Sequence, residues 1–289
     1  MSVGLVLEGG GMRGAYTSGV LETFLEHEIG FPVVYGISAG ACNALSFISG
    51  QKNWSFEVFS RYLTDERSVG AANLEKTGSL FGFDFIFGEL FHKLVPLDYD
   101  AFFRSPTRLR AGATDLNTGR VVFFDKEEFD GMLTPVRASS SLPFLSGIVT
   151  FAGRELLDGG VAMPIPIERS VSDGNRYNVV VLTRDASYRK PARPEHPRAA
   201  LEERYGDYPL FVDAMMRRNG VYNAELDACR RQEKAGRAVV IRPSSPILTD
   251  RYEKDPERLK AIYEMGLCDA EQKLGEVKEL LKRGSSGQE

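Results

Sequence analysis

Histidine is scarce in this chain: among 289 residues only His27, His92 and His196 occur. The scarcity matters because imidazole is the usual proton acceptor for a nucleophilic side chain near neutral pH. In the usual α/β-hydrolase order the histidine comes late, after the acid and close to a strand end. The final 93 residues contain none. His27 sits among glutamates, His196 lies in a Pro-Ala-Arg-Pro-Glu loop, and only His92 neighbours an apolar segment, which disfavours an ordinary Ser-His-Asp triad. Cysteine is as thin. Cys42, Cys229 and Cys268 are odd in number and far apart, which argues against a disulfide scaffold or a zinc knuckle and for a reducing compartment. No stretch reaches the roughly 18 apolar residues of a membrane span, and residues 1–14 lack the basic, apolar and small-residue order of a secretory signal. These absences predict a cytoplasmic location with, at most, transient attachment to a membrane surface. With a formal charge of −4 and no basic block, no nucleic-acid partner is expected.

What is present is ordinary in bulk: 43% apolar and 26% charged residues, as in soluble globular proteins. No Pro/Gly/Ser-rich linker or internal repeat divides the chain, so a single α/β domain over residues 1–283 is expected, with a frayed tail at 284–289. Residues 3–7 read as a buried strand, a helix follows from about Ala15 to Leu25, and residues 31–35 read as a second strand leading to a helix that ends near Ile48. That alternation favours a largely parallel sheet. Residues 54–62 read as a helix, 108–113 and 121–124 as strands joined by a turn, and 148–151 and 155–157 as a hairpin. A strand at 178–183, a polar loop at 184–197, helical pattern over 201–234 and a last strand at 238–242 follow. A long helical region over 255–283 is expected, with a break at Gly266 or Gly275.

Three short stretches carry chemistry. In Gly36-Ile37-Ser38-Ala39-Gly40 a serine sits between a strand and a helix, at a strained corner that small neighbours Gly36 and Gly40 permit. Such a serine is a candidate nucleophile; the alternative is a small-residue turn entering a buried helix. Asp158-Gly159-Gly160 follows a short strand, and Asp158 is either a general base acting directly on Ser38 or an acid capping its own turn. Gly9-Gly10-Gly11-Met12-Arg13-Gly14 breaks the first strand from the first helix. It formally matches a dinucleotide fingerprint, but the acid expected at the end of the next strand is replaced by Tyr35-Gly36. As an alternative, successive amides of Gly9, Gly10 and Gly11 form a nest for a developing oxyanion, with Arg13 and Gly14 supporting the loop, or with Arg13 simply on the surface.

The stretch 80–103 is unusual. Phe81, Phe83, Phe85, Phe87, Phe91, Phe102 and Phe103 are seven of the 18 phenylalanines. Either the segment packs over the core, or part of it forms an apolar rim that admits an acyl chain, with Phe85, Phe87 and Phe91 as lining.

Together the glycine loop, the serine corner and Asp158-Gly159-Gly160 resemble the three signature blocks of patatin-like phospholipases, in order and spacing over residues 3–165. Ala138-Ser139-Ser140-Ser141-Leu142-Pro143 resembles a fourth, less specific block. The resemblance implies a three-layer α/β/α sandwich with a mostly parallel central sheet. It further implies a lipid acyl hydrolase of phospholipase A or lysophospholipase type with a Ser38–Asp158 dyad and a covalent acyl-serine, an oxyanion hole at residues 9–11, and no calcium or other cofactor. A lipid or acyl ester is then the partner. Competing readings are a general carboxylesterase or triglyceride lipase, a catalytically quiet interaction module, and a nucleotide-binding oxidoreductase.

Overall fold

The computed structural model describes residues 3–249 and 253–285. Eight strands form one sheet: β1 (Val3–Leu7), β2 (Val33–Ile37), β3 (Arg108–Asp115), β4 (Arg120–Asp125), β5 (Val149–Phe151), β6 (Arg154–Asp158), β7 (Tyr177–Val181) and β8 (Ala238–Ile241). Their order is β5-β6-β3-β2-β1-β7-β8, with β4 paired to β3 off that path. From β8 through β3 the pairing is parallel, and β4, β5 and β6 join antiparallel. β1, β2, β7 and β8 are buried at every position, as parallel strands covered on both faces must be.

The period-two alternation of the strands sorts these side chains into two cores. Leu5, Leu7, Val179, Val181, Val239 and Ile241 point to one side; Val6, Val180 and Val240 point to the other. Among the described residues ten α-helices complete the layers: α1 (Gly14–Glu26), α2 (Ala39–Ser49), α3 (Trp54–Glu57), α4 (Ala71–Thr77), α5 (Tyr99–Arg104), α6 (Thr134–Ser139), α7 (Ile167–Ser172), α8 (Arg198–Tyr205), α9 (Pro209–Lys234) and α10 (Pro256–Ser285). α1, α2 and α10 cover the first core, whereas α7 and α9 cover the second. The result is a three-layer α/β/α sandwich. None of the described helices is long and apolar enough to cross a membrane.

Several boundaries differ from expectation for identifiable reasons. β2 begins at Val33 because Pro32 lacks the N–H a central strand must donate. α10 runs unbroken through Gly266 and Gly275. Gly266 serves instead as a contact point, since a Cβ there would stand 2.2 Å from the carbonyl oxygen of Tyr16 on α1, and one at Gly19 would stand 2.1 Å from that of Tyr263. The two helices thus touch backbone to backbone, and the buried Tyr16 hydroxyl donates to Asp269 at 3.0 Å. Gly284 and Ser285, expected in a frayed tail, belong to α10, and residues 286–289 lie outside the described residues. Residues 58–62, expected as plain helix, wind as π-helix, a wider turn, and so do residues 85–94.

Candidate active site

The register of β3 brings the two ends of the site together. β4 pairs with β3 over Arg110–Asp115 and so occupies one edge of it. β2 and β6 must therefore share the other edge. β2 runs parallel to β3 and ends with Ile37 opposite Gly112; β6 runs the opposite way and ends with Asp158 opposite Ala113. The two strands meet head to head, and the residue after one end, Ser38, lies beside the last residue of the other, Asp158. A separation of 120 positions in sequence is closed by two strand pairings, β2 with β3 and β3 with β6.

Ser38 stands between β2 and α2 with φ 53° and ψ −124°, a backbone setting that costs a non-glycine residue ~1–3 kcal/mol. Its neighbours make room for that corner. A Cβ at Gly36 would lie 2.6 Å from the Ala41 Cα, and one at Gly40 would lie 2.6 Å from the Leu7 carbonyl oxygen and 2.8 Å from that of Glu8. The corner is fastened by the serine-rich block. The Ser38 amide donates to Ser139 Oγ at 2.8 Å, and Ser139 Oγ donates to the Gly112 carbonyl at 2.6 Å. The same block holds the acid, because the Asp158 amide donates to the Ser141 carbonyl at 2.7 Å. Thr114 Oγ1 donates to the Asp158 carbonyl at 2.8 Å. Asp158 is 2% exposed, and its Oδ1 accepts the Gly160 amide at 2.7 Å.

Ser38 lines two cavities. One, of about 110 Å³, is polar and is shared with Gly9, Gly10, Gly11, Arg13 and Asp158. The other, of about 90 Å³, is apolar and is shared with Met12, Cys42, Trp54, Phe59, Phe83, Phe87 and Phe91. No histidine lines either cavity. His27 pairs with Glu271 at 2.9 Å, His92 stacks on Tyr99, and His196 packs on Phe144. Cys42 is a poor rival nucleophile, since burial pushes its thiol up to about 11.

Along the glycine loop the amides are not equivalent. The Gly9 amide donates to the Pro164 carbonyl at 3.5 Å, whereas among the described residues no protein acceptor takes those of Gly10 and Gly11. Gly11 has φ 55°, which turns the loop toward α1. Arg13 is buried rather than a surface guanidinium, and Asn43 Nδ2 reaches the Gly14 carbonyl at 3.0 Å. Of the three aromatic candidates, Phe87 and Phe91 line the apolar cavity beside Ser38. Phe85 does not: it lies under the Arg67 guanidinium, 4.4 Å from its ring centroid.

Some residues of the polar cavity were not singled out from sequence. Glu8, directly after β1, is 2% exposed; its carboxylate accepts the Thr183 amide at 2.5 Å and the Tyr222 hydroxyl at 2.9 Å. Burial raises its pKa, against the opposing pull of those donors and of Arg13. The signal available was a glutamate abutting five buried strand residues. Arg184, Tyr188, Lys190, Glu195, Arg218 and Tyr222 also line this cavity, and all come from beyond residue 183. A hydroxyl, a buried carboxylate and amide donors thus converge on one space, the ingredients of acyl transfer.

Comparison with known proteins identifies the family. The model of the patatin-like phospholipase family matches residues 5–170, and a domain of unknown function, DUF6363, matches residues 208–282. The uncharacterized protein YjjU of Escherichia coli K12 is 31% identical over 186 residues, 63% of this chain and 52% of YjjU. The lysophospholipase NTE1 of Scheffersomyces stipitis is 26% identical over 291 residues, 92% of this chain but 17% of that protein. The uncharacterized NTE family protein Rv1063c of Mycobacterium tuberculosis is 25% identical over 207 residues, 69% of this chain and 54% of the relative. The chain therefore spans about half the length of YjjU and Rv1063c, and under a fifth of NTE1. With the family model covering more than half of its residues, the chain belongs to the patatin-like phospholipase family.

Proposed function

We propose that the protein is a lipid acyl hydrolase that works through a Ser38–Asp158 dyad. The observation that carries this reading is the position of Ser38 at the junction of an apolar and a polar cavity, beside a buried carboxylate and with no histidine in the lining of either cavity. In the first step the Ser38 hydroxyl attacks the ester carbonyl while Asp158 takes its proton. The tetrahedral oxyanion is held by the Gly10 and Gly11 amides, helped by the positive end of α2. Collapse releases the head-group alcohol, which leaves with the proton from Asp158, and an acyl-serine remains. Water, deprotonated by Asp158, then frees the fatty acid and restores Ser38.

The acyl chain occupies the apolar cavity and the head group the polar one. The name of the NTE1 relatives, lysophospholipase, favours an ester of one chain, which the apolar cavity beside Ser38 would receive. The test is labelling by a fluorophosphonate together with a hydrolysis panel of phospholipid, lysophospholipid, triglyceride and short p-nitrophenyl esters, with Ser38→Ala as control. Labelling that depends on Ser38, with cleavage of the lysophospholipid, supports the reading. A folded protein that takes no label and cleaves nothing makes the chain a quiet interaction module instead.

A further inference from the structure

The polar cavity contains an ion cluster that the steps above do not use. Lys190 Nζ pairs with Glu195 Oε1, and Arg218 NH1 pairs with the other oxygen, Glu195 Oε2, at 2.8 Å. The side chains of Lys190 and Arg218 are only 10% and 12% exposed. A cluster so far out of water is weak support for stability, because desolvation consumes much of the Coulomb gain. Its placement is specific, however. Arg218 Nε donates to the Gly160 carbonyl at 2.8 Å, and the Gly160 amide donates to Asp158 Oδ1. Arg218 therefore stands one residue from the group that hands a proton to the leaving alcohol, Lys190 joins it through Glu195, and the head group must lie on that side of the ester. Arg184 lines the same cavity.

We propose that Lys190 and Arg218 form an anion subsite for a phosphate carried by the substrate head group, and that Glu195 occupies it until substrate displaces the carboxylate. Two oxygens of one carboxylate bridging an ammonium and a guanidinium reproduce the geometry that two oxygens of a phosphate would take. Glu195 and Lys190 share the proline-bearing loop, but the backbone of Lys190 is tied to Asn223 of α9 and Glu195 is the most exposed of the three, so the carboxylate is the member that gives way. This inference rests on the acyl-hydrolase reading for the source of the phosphate, but its test does not need turnover.

In the Ser38→Ala protein, calorimetric titration compares 1-decanoyl lysophosphatidic acid with monodecanoylglycerol, the same chain with and without phosphate. The phosphate lipid is expected to bind at least about tenfold more tightly, roughly the worth of one charge-assisted hydrogen bond. Adding Lys190→Gln should remove that preference, and adding Glu195→Gln should enlarge it. Equal affinity for the two lipids, or a preference untouched by Lys190→Gln in a protein with native near-UV circular dichroism, overturns the subsite. Should Lys190→Gln fail to fold, the salt series on Ser38→Ala decides: rising ionic strength must weaken the phosphate lipid and spare the neutral one, and equal weakening is fatal. Inorganic phosphate binding as tightly as the lipid would overturn the head-group source. A wild-type protein that cleaves neither lipid would sink the hydrolase reading while leaving this binding result to stand or fall by itself.

Discussion

The two walls that meet at Ser38 are built from different parts of the chain and by different physics. The apolar wall comes mostly from residues 54–91, a stretch of aromatic and aliphatic side chains on and between α3 and the two π-helical segments, completed by Met12, Cys42 and Leu142. The polar wall is assembled from the ends of β1 and β6, the loop after β7 and one face of α9, elements separated by up to 214 positions in the Tyr222–Glu8 contact. Dispersion and burial hold the first wall together, and adjacent contacts reinforce one another: Phe83–Phe87 and Phe87–Phe91 ring centroids are 5.8 and 5.3 Å apart. Hydrogen bonds and ion pairs hold the second, each with a designated partner. An apolar wall tolerates variation in what it receives; a polar wall selects, because an unpaired buried donor is costly.

The largest effects are expected at the junction itself. Ser38→Ala and Asp158→Asn should each lower kcat on the order of 10³- to 10⁶-fold on every ester, irrespective of head group or chain. Near-full turnover by Asp158→Asn in a steady-state assay would remove the dyad. Next in size is the loop. A Cβ at Gly10 would lie 2.9 Å from Thr183 Oγ1, so Gly10→Ala displaces an amide donor and should cost ~10²–10³-fold in kcat with little change in KM. A change confined to KM would place the oxyanion elsewhere.

The walls separate with Phe87→Ala and Phe85→Ala. Phe87 is fully buried, and its truncation should destabilise the fold by ~3–5 kcal/mol and lower the ratio of long-chain to short-chain kcat/KM. Phe85→Ala should leave that ratio unchanged, since the ring lies against Arg67 outside the cavity. Equal ratios for the two variants would detach the acyl chain from this wall. Smaller again is Ser139→Ala, which leaves the Ser38 amide and the Gly112 carbonyl without their shared partner. A loss of ~1–3 kcal/mol in denaturant unfolding is expected, and no loss would mean that the corner holds itself.

What could be read from the sequence follows the same division. Buried parallel strands declare themselves as aliphatic runs, and glycine-rich blocks mark where backbones must pass closely, so β1, β2, the Ser38 corner and the Asp158 turn were legible. The serine block around Ser139 was legible as a fourth block of the family resemblance, though not as the clamp between Ser38 and β3, because a hydroxyl's partner depends on register. Phe85 and Phe87 were grouped by proximity, yet residues two apart on a helix face away from each other. The spacing that mattered was Phe83, Phe87 and Phe91, at intervals of four. Lys190, Glu195 and Arg218 looked like ordinary loop and helix charges, since only the packing of α9 beneath the loop turns them inward.

The smallest effect is the one that best distinguishes the walls, because among the described residues only the polar one has carboxylates in its lining. Glu225 on α9 lies behind it, where burial raises its pKa well above the ordinary carboxylate range and nearby Glu168 and Glu8 add to the shift, while its hydrogen bond from the Ile165 amide at 2.7 Å opposes it. A carboxyl whose folded pKa exceeds its unfolded one contributes stability that is full below the unfolded pKa and is lost as pH rises through the folded value. Glu225→Gln keeps an oxygen to accept from Ile165 and removes the titration. The Tm difference between variant and wild type should therefore grow in the variant's favour as pH rises above 4.5, the ordinary glutamate value. Thermal unfolding followed by circular dichroism across that range reads it directly. A difference that stays flat would mean that the carboxylate is ionised in the folded protein throughout, and that water or a neighbouring cation reaches a place the packing of α9 against β1 and β7 is expected to keep dry.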